Sequence, residues 1–265
     1  MTDLDHKARE SGWNALGRKT HLGWKVSIRL NSLRCRLACS RQNPTVPFKI
    51  PTAMAEAYFE KVKYRLPQHP VIEAYVRPKV DYISRVVSLG KTTSLLDVGC
   101  GNGVFTYYFQ QLCGFVTGLD NSRNMLAENP CPRVVQCGAT DLPFSDRSFD
   151  VVFEANLLHH VDDRSKVVRE MARVSRRWVV LIEPNRYNPL MLAFGLVVAA
   201  ERGLLTSTKA SNLAILRDVG LKPISWMTTG MISQNNTPSV LLPLLKRFDR
   251  EVWYGEYVVL IAEKS

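Results

Sequence analysis

Hydrophobic and polar positions alternate along this chain in two rhythms. Short, nearly continuous apolar runs of four to six residues occur at 95–98, 115–120, 133–137, 148–153 and 178–182. Runs of that length, rich in Leu, Val and Phe, predict strands buried on both faces, as in a parallel sheet. Stretches with helical spacing separate them. The pattern predicts helices over 53–64, 71–89, 103–112, 163–174 and 208–219. The helix over 71–89 is expected to kink or break at Pro78 and to stop at Gly90. Strands at 222–228 and 253–262 follow, with a loop at 231–238 and a short apolar, basic piece at 241–248 between them. Strands alternating with helices imply an α/β protein with a doubly wound sheet.

The sharpest local signal sits at the end of the first apolar run. Leu95 to Val98 leads into Gly99, Cys100, Gly101, Asn102 and Gly103. Glycines at such a strand-to-helix turn allow backbone dihedrals that a side chain forbids, and they let a ligand approach the main chain. The dinucleotide fingerprint G-x-G-x-x-G is not met, because Val104 stands where its third glycine would fall. The pattern is Asp-x-Gly-x-Gly-x-Gly from Asp97 to Gly103. An acid at this strand end repels a pyrophosphate and suits a ligand with an ammonium and a sulfonium. A turn that merely packs strand against helix is the plainer alternative.

Charge is uneven. Residues 1–50 hold ten Lys and Arg against three Asp and Glu, a net +7 of the chain's +11. This segment reads as a basic N-terminal extension, either solvated or touching anionic lipid or nucleic acid. The body spans 51–265. The six cysteines form no C-x-x-C pair, and the histidines complete no zinc pattern, so no metal site is expected. Isolated cysteines beside core elements fit a reducing, cytoplasmic setting. No apolar run reaches the ~18–20 residues of a membrane span.

The 97–103 pattern resembles motif I of the class I S-adenosylmethionine-dependent methyltransferases. The run from Leu142 to Val161 resembles the type 11 methyltransferases grouped with ubiquinone and menaquinone biosynthesis enzymes. The resemblance covers about 53–263. It implies a Rossmann-like, seven-stranded, mostly parallel sheet with its last strand antiparallel. It implies S-adenosyl-L-methionine as cofactor and methyl transfer to a small-molecule or lipid-like acceptor. Asp97, Gly99, Cys100 and Gly101 should hold the methionine part, Asp120 and Asn121 the ribose, and Gly138 and Ala139 the adenine. Glu154 should meet the methionine end through its backbone. Aligned on Leu142, Pro143 and Phe144, the family's adenine-contacting Asp falls on Gly138, which is a departure.

His159 and His160 follow the fourth strand and are candidate general bases, or pocket-lining residues without a chemical role. Tyr58, Tyr64 and Arg65 are candidate lid residues; Glu183, Asn185 and Tyr187 are candidate substrate contacts. The apolar segment 190–205 reads as a lipophilic substrate wall, a peripheral membrane contact or a buried helix. The Asn/Asp-Pro-Pro-aromatic clamp of nucleic-acid amino-methyltransferases is absent, which counts against base N-methylation and leaves C- and O-methylation open; nucleic acid is not the expected partner. Two other readings stay open. One is a catalytically silent, partner-binding relative, motivated by Gly138. The other is a membrane- or RNA-associated methyltransferase using the basic arm.

Overall fold

The computed structural model describes residues 64–265. The readings placed on 1–50, on the helix at 53–64 and on Tyr58 lie outside the described residues.

Seven strands form one sheet: β1 (Ser94–Val98), β2 (Phe115–Asp120), β3 (Val134–Gln136), β4 (Phe149–Ala155), β5 (Ser175–Pro184), β6 (Leu221–Thr229) and β7 (Tyr257–Lys264). Their order is β3-β2-β1-β4-β5-β7-β6. All pairs are parallel except those of β7, which runs antiparallel to both β5 and β6. The sequence expectation of a reversed last strand is met. β7 starts at Tyr257 rather than 253, because residues 253–256 turn before entering the sheet.

Helices cover both faces. On one lie α1 (Pro70–Val87), α2 (Val104–Leu112) and α7 (Leu242–Phe248); on the other lie α4 (Arg164–Val174) and α6 (Lys209–Asp218). The short α3 (Arg123–Glu128) and α5 (Pro189–Val197) flank the C-terminal edge of the strands. Alternate residues of each strand feed opposite cores. Leu95 and Phe153 pack with Tyr75, Phe105 and Phe109 under α1 and α2. Leu96 and Val152 pack with Val168 and Met171 under α4. Phe153 touches both Phe105 and Phe109, with ring centroids at 5.0 and 4.8 Å.

The helix expected over 71–89 differs in two details, each with an identifiable reason. α1 runs through Pro78 without a break. Its buried stripe, from Val71 through Tyr75 and Val80 to Val87, packs on the sheet, and that burial outweighs one missing hydrogen bond. α1 also ends before Gly90: Ser88 takes the left-handed C-cap position, with φ 54°.

Among the described residues no helix is long and apolar enough to cross a membrane.

Candidate active site

The strand order reverses at β1, which pairs with β2 on one side and β4 on the other. Register aligns their C-terminal ends: Val98 faces Leu119 and Glu154. Open α/β sheets bind ligands at such a switch point. A cleft of about 680 Å³ opens there, within the range of small-molecule sites.

The glycine turn forms its floor. Gly99, Gly101 and Gly103 have φ of 74°, 50° and 81°. Gly103 also packs too closely for a side chain, since a Cβ would lie 2.4 Å from Asn129 Oδ1. The amides of Gly99 and Cys100 both donate to the Leu119 carbonyl, at 2.7 and 3.0 Å, and Gly101 N donates to Asp120 Oδ2 at 2.9 Å. The other Asp120 oxygen accepts from Ser122 N at 2.8 Å. The first two strands are thus tied together at the lip of the cleft.

Asp97 is 2 % exposed, and its Oδ2 accepts from Thr106 Oγ1 at 2.6 Å. Burial pushes its carboxyl up to about 7, with the nearby Asp120 charge adding to the rise and the Thr106 hydrogen bond opposing it. Burial also raises Asp120, against the backbone N–H groups that lower it.

Asp97, Gly99, Cys100, Gly101, Asp120, Asn121, Gly138, Ala139, His159 and His160 all line this one cleft. Glu154 is not among the residues that line it. It sits one residue short of the strand end, paired with Val98 and Leu181, and Ala155, Asn156 and Leu157 reach the cleft instead. Its fully buried side chain accepts from Leu157 N at 3.1 Å. A Cβ built on Gly138 would meet no heavy atom within 4 Å, so the departure from the family pattern leaves open space.

Tyr64 lines the cleft. Arg65 pins the loop at 230–238 by donating to the Gln234 and Thr237 carbonyls at 3.0 and 2.8 Å. Glu183, Asn185 and Tyr187 are not among the residues that line the cleft. Asn185 Nδ2 donates to the Trp253 and Gly255 carbonyls, joining two loops, and Tyr187 is exposed. The segment 190–205 is not one buried helix. It divides into α5 and a 3-10 stretch, Ala199–Thr206, because Val198 is extended. Met191, Phe194 and Leu204 face the cleft, whereas Leu190, Leu196 and Val197 are exposed.

The two histidines sit in a 3-10 turn, Leu158–His160, within a buried polar network. His159 Nδ1 lies 2.9 Å from Glu183 Oε2, and its Nε2 lies 3.4 Å from Glu201 Oε2. His160 Nε2 lies 3.7 Å from the same Glu201 oxygen. Burial works against a charge on His159, but Glu183 and Glu201 outweigh it and raise the imidazole to about 9. Burial and the His159 charge push His160 down to about 3. Burial, reinforced by the Glu183 charge, holds Glu154 well above the carboxylate range. The neighbouring carboxylates and burial thus push the two imidazoles in opposite directions.

Sequence reasoning missed Glu201, which reaches the histidines from 41 residues beyond His160. It also passed over Asn156, which lines the cleft in the left-handed region (φ 58°) and donates to Tyr75 Oη at 3.0 Å. The position after a strand end and the tolerance of Asn for that region were the available signals.

An open sheet with a glycine turn at its switch point and an acid at the end of β2 defines a Rossmann-like protein that binds a nucleoside-bearing ligand. Residues 96–182 match the model of the methyltransferase domain family. The chain is 32% identical over 150 residues to the demethylmenaquinone methyltransferase of Bacillus licheniformis, an alignment covering 51% of this chain and 64% of that protein. It is 35% identical over 107 residues to the 27-O-demethylrifamycin SV methyltransferase of Amycolatopsis mediterranei, covering 36% and 39%. The chain thus spans less than two thirds of these curated relatives. A solved SAM-dependent methyltransferase from Aquifex aeolicus shares the fold with a TM-score of 0.54 at 14% identity, over 82% of this chain and all of that one. Over residues 96–182 the chain is similar to the class I S-adenosylmethionine-dependent methyltransferases of type 11, and the fold around that stretch is theirs.

Proposed function

We propose that the chain transfers a methyl group from S-adenosylmethionine to a small-molecule acceptor. The observation that carries this reading is the convergence of the Gly99–Gly103 turn and the Asp120 carboxylate on one cleft, with open space at Gly138. Those residues fit the cofactor. Asp97 and the turn suit the amino-acid end, Asp120 and Asn121 the ribose hydroxyls, and Gly138 and Ala139 the edge of the adenine. S-adenosylmethionine, when bound, supplies a methyl group on a sulfonium that leaves as a neutral thioether. The protein's task is then alignment of the acceptor and exclusion of water.

The acceptor side is framed by Met191, Phe194 and Leu204, an apolar wall that suits a lipophilic, ring-containing molecule. The named acceptors of the two curated relatives, a demethylmenaquinone and a demethylrifamycin, are of that kind. The exposed outer side of α5 favours peripheral contact with a lipid surface as the route for such an acceptor. Residues 1–50 form a basic extension separate from the methyltransferase domain at 51–265.

The test is calorimetric and thermal-shift titration with S-adenosylhomocysteine on the wild type and Asp120→Ala. Ligand at a hundred times its Kd should stabilise the wild type by about 2.7 kcal/mol. Binding that weakens in the variant supports the reading. Absence of wild-type binding would leave the silent, partner-binding reading in its place.

A further inference from the structure

We propose that His159, His160 and Glu201 form a binding site for a divalent transition metal of the zinc type, opening onto the cleft. Their nearest donor atoms are 3.4 and 3.7 Å apart, and all three lie within 4.8 Å of one another. Tetrahedral bonds of about 2.0–2.2 Å place neighbouring donors roughly 3.3–3.5 Å apart, so these atoms need little movement to share an ion. Two imidazoles and one carboxylate favour zinc, cobalt or nickel over magnesium or calcium, which prefer oxygen alone.

The surroundings are built for ligation. Glu183 accepts from His159 Nδ1, which fixes the tautomer that leaves Nε2 as a lone-pair donor toward Glu201. This is the carboxylate–histidine support that metal-bound imidazoles use. The two ligand-bearing turns are also forced together. A Cβ on Gly203 would lie 1.7 Å from the His159 carbonyl oxygen, so only glycine permits this approach. Arg164 locks the second turn by donating to Gly203 O at 3.1 Å and Thr206 Oγ1 at 2.6 Å. All three ligand residues face the cleft, which leaves a fourth position for water or an acceptor oxygen, as in catalytic rather than structural zinc sites. An acceptor that binds there carries a hydroxyl or enol oxygen; this last step rests on the methyl-transfer reading.

A proton can occupy the same place, making His159 an imidazolium between two glutamates. Cobalt titration separates the two. Tag-free full chain, stripped with a chelator, is titrated with Co²⁺ and followed by its visible absorption. One equivalent with a tetrahedral spectrum is expected. Glu201→Gln and His160→Ala should each weaken binding at least tenfold, and Glu183→Gln about 10- to 100-fold. S-adenosylhomocysteine titration of the same samples reports whether each variant is folded. Absence of a saturable tetrahedral signal in the wild type, or one unchanged in both Glu201→Gln and His160→Ala, overturns the proposal. Cobalt binding without S-adenosylhomocysteine binding keeps the metal site and removes the methyl-transfer reading; the reverse removes only the metal site.

Discussion

Asp120 Oδ2 accepts the Gly101 amide at 2.9 Å, so the acid at the end of β2 holds the glycine turn that follows β1. One carboxylate thus shapes the turn and, in the proposed function, also presents its remaining lone pairs to a ribose. Substitution should separate them. Asp120→Asn keeps an acceptor for one backbone N–H and should lower stability by about 1 kcal/mol, whereas Asp120→Ala should cost about 2 kcal/mol. Both should weaken S-adenosylhomocysteine at least tenfold. Urea denaturation beside calorimetry checks the split.

Gly138 offers an unused position. A Cβ there meets nothing within 4 Å, and the backbone is not left-handed. Gly138→Asp should fold normally and tighten S-adenosylhomocysteine about fivefold by adding a charged acceptor beside the adenine amine. That is less than the roughly 1.5–3 kcal/mol of a buried charged hydrogen bond, because the site is exposed. Unchanged affinity in calorimetry would place the adenine elsewhere.

Asp97 should make both stability and cofactor affinity depend on pH. Burial raises its carboxyl from 3.8 to about 7. Between those values the folded state holds a proton that the unfolded state has lost. The favourable contribution is complete below about 4 and declines, by at most about 1.4 kcal/mol per pH unit, until pH passes 7. Asp97→Asn should therefore gain stability relative to the wild type as pH rises from 5 to 8. A cofactor ammonium favours the ionised form, so S-adenosylhomocysteine should bind the wild type more tightly at pH 8 than at pH 6. Thr106→Val removes the hydrogen bond that opposes the rise and should move this window upward. Calorimetry across pH on the three proteins is the check.

Ser88 occupies a left-handed cap where glycine is at ease. Ser88→Gly should stabilise the chain by about 0.5–1 kcal/mol, the strain relieved less the added chain entropy. A melting temperature that falls would show that the Ser88 side chain contributes more than its strain costs.

Deletion of residues 1–50 should leave S-adenosylhomocysteine affinity unchanged within twofold, if the basic extension stands apart from the domain. Binding of the two chains to anionic and neutral vesicles should then differ only on the anionic ones, as ionic attraction by a net +7 segment requires.

Much of the fold was legible because its cues are local. The apolar run at 95–98 and the glycines after it specify a buried strand and a tight turn wherever they occur. Asp120 could be placed at a strand end by counting from the turn. Glu154 shows what counting leaves open: its pairing with Val98 and Leu181, one residue before the end of β4, is a matter of strand register. Pro78 is a second case, since a local breaker yielded to a buried stripe that only the sheet provides.

The sequence by itself determined the order of strands and helices along the chain, the glycine turn and the acids at the strand ends, since dihedral preference and apolar periodicity act over a few residues. The tertiary structure alone decided the polar network at the far end of the cleft. His159, Glu183 and Glu201 meet only because β4 and β5 end side by side and Gly203 lets one turn press against another. Such contacts depend on strand register and close backbone approach, which no short stretch of sequence encodes.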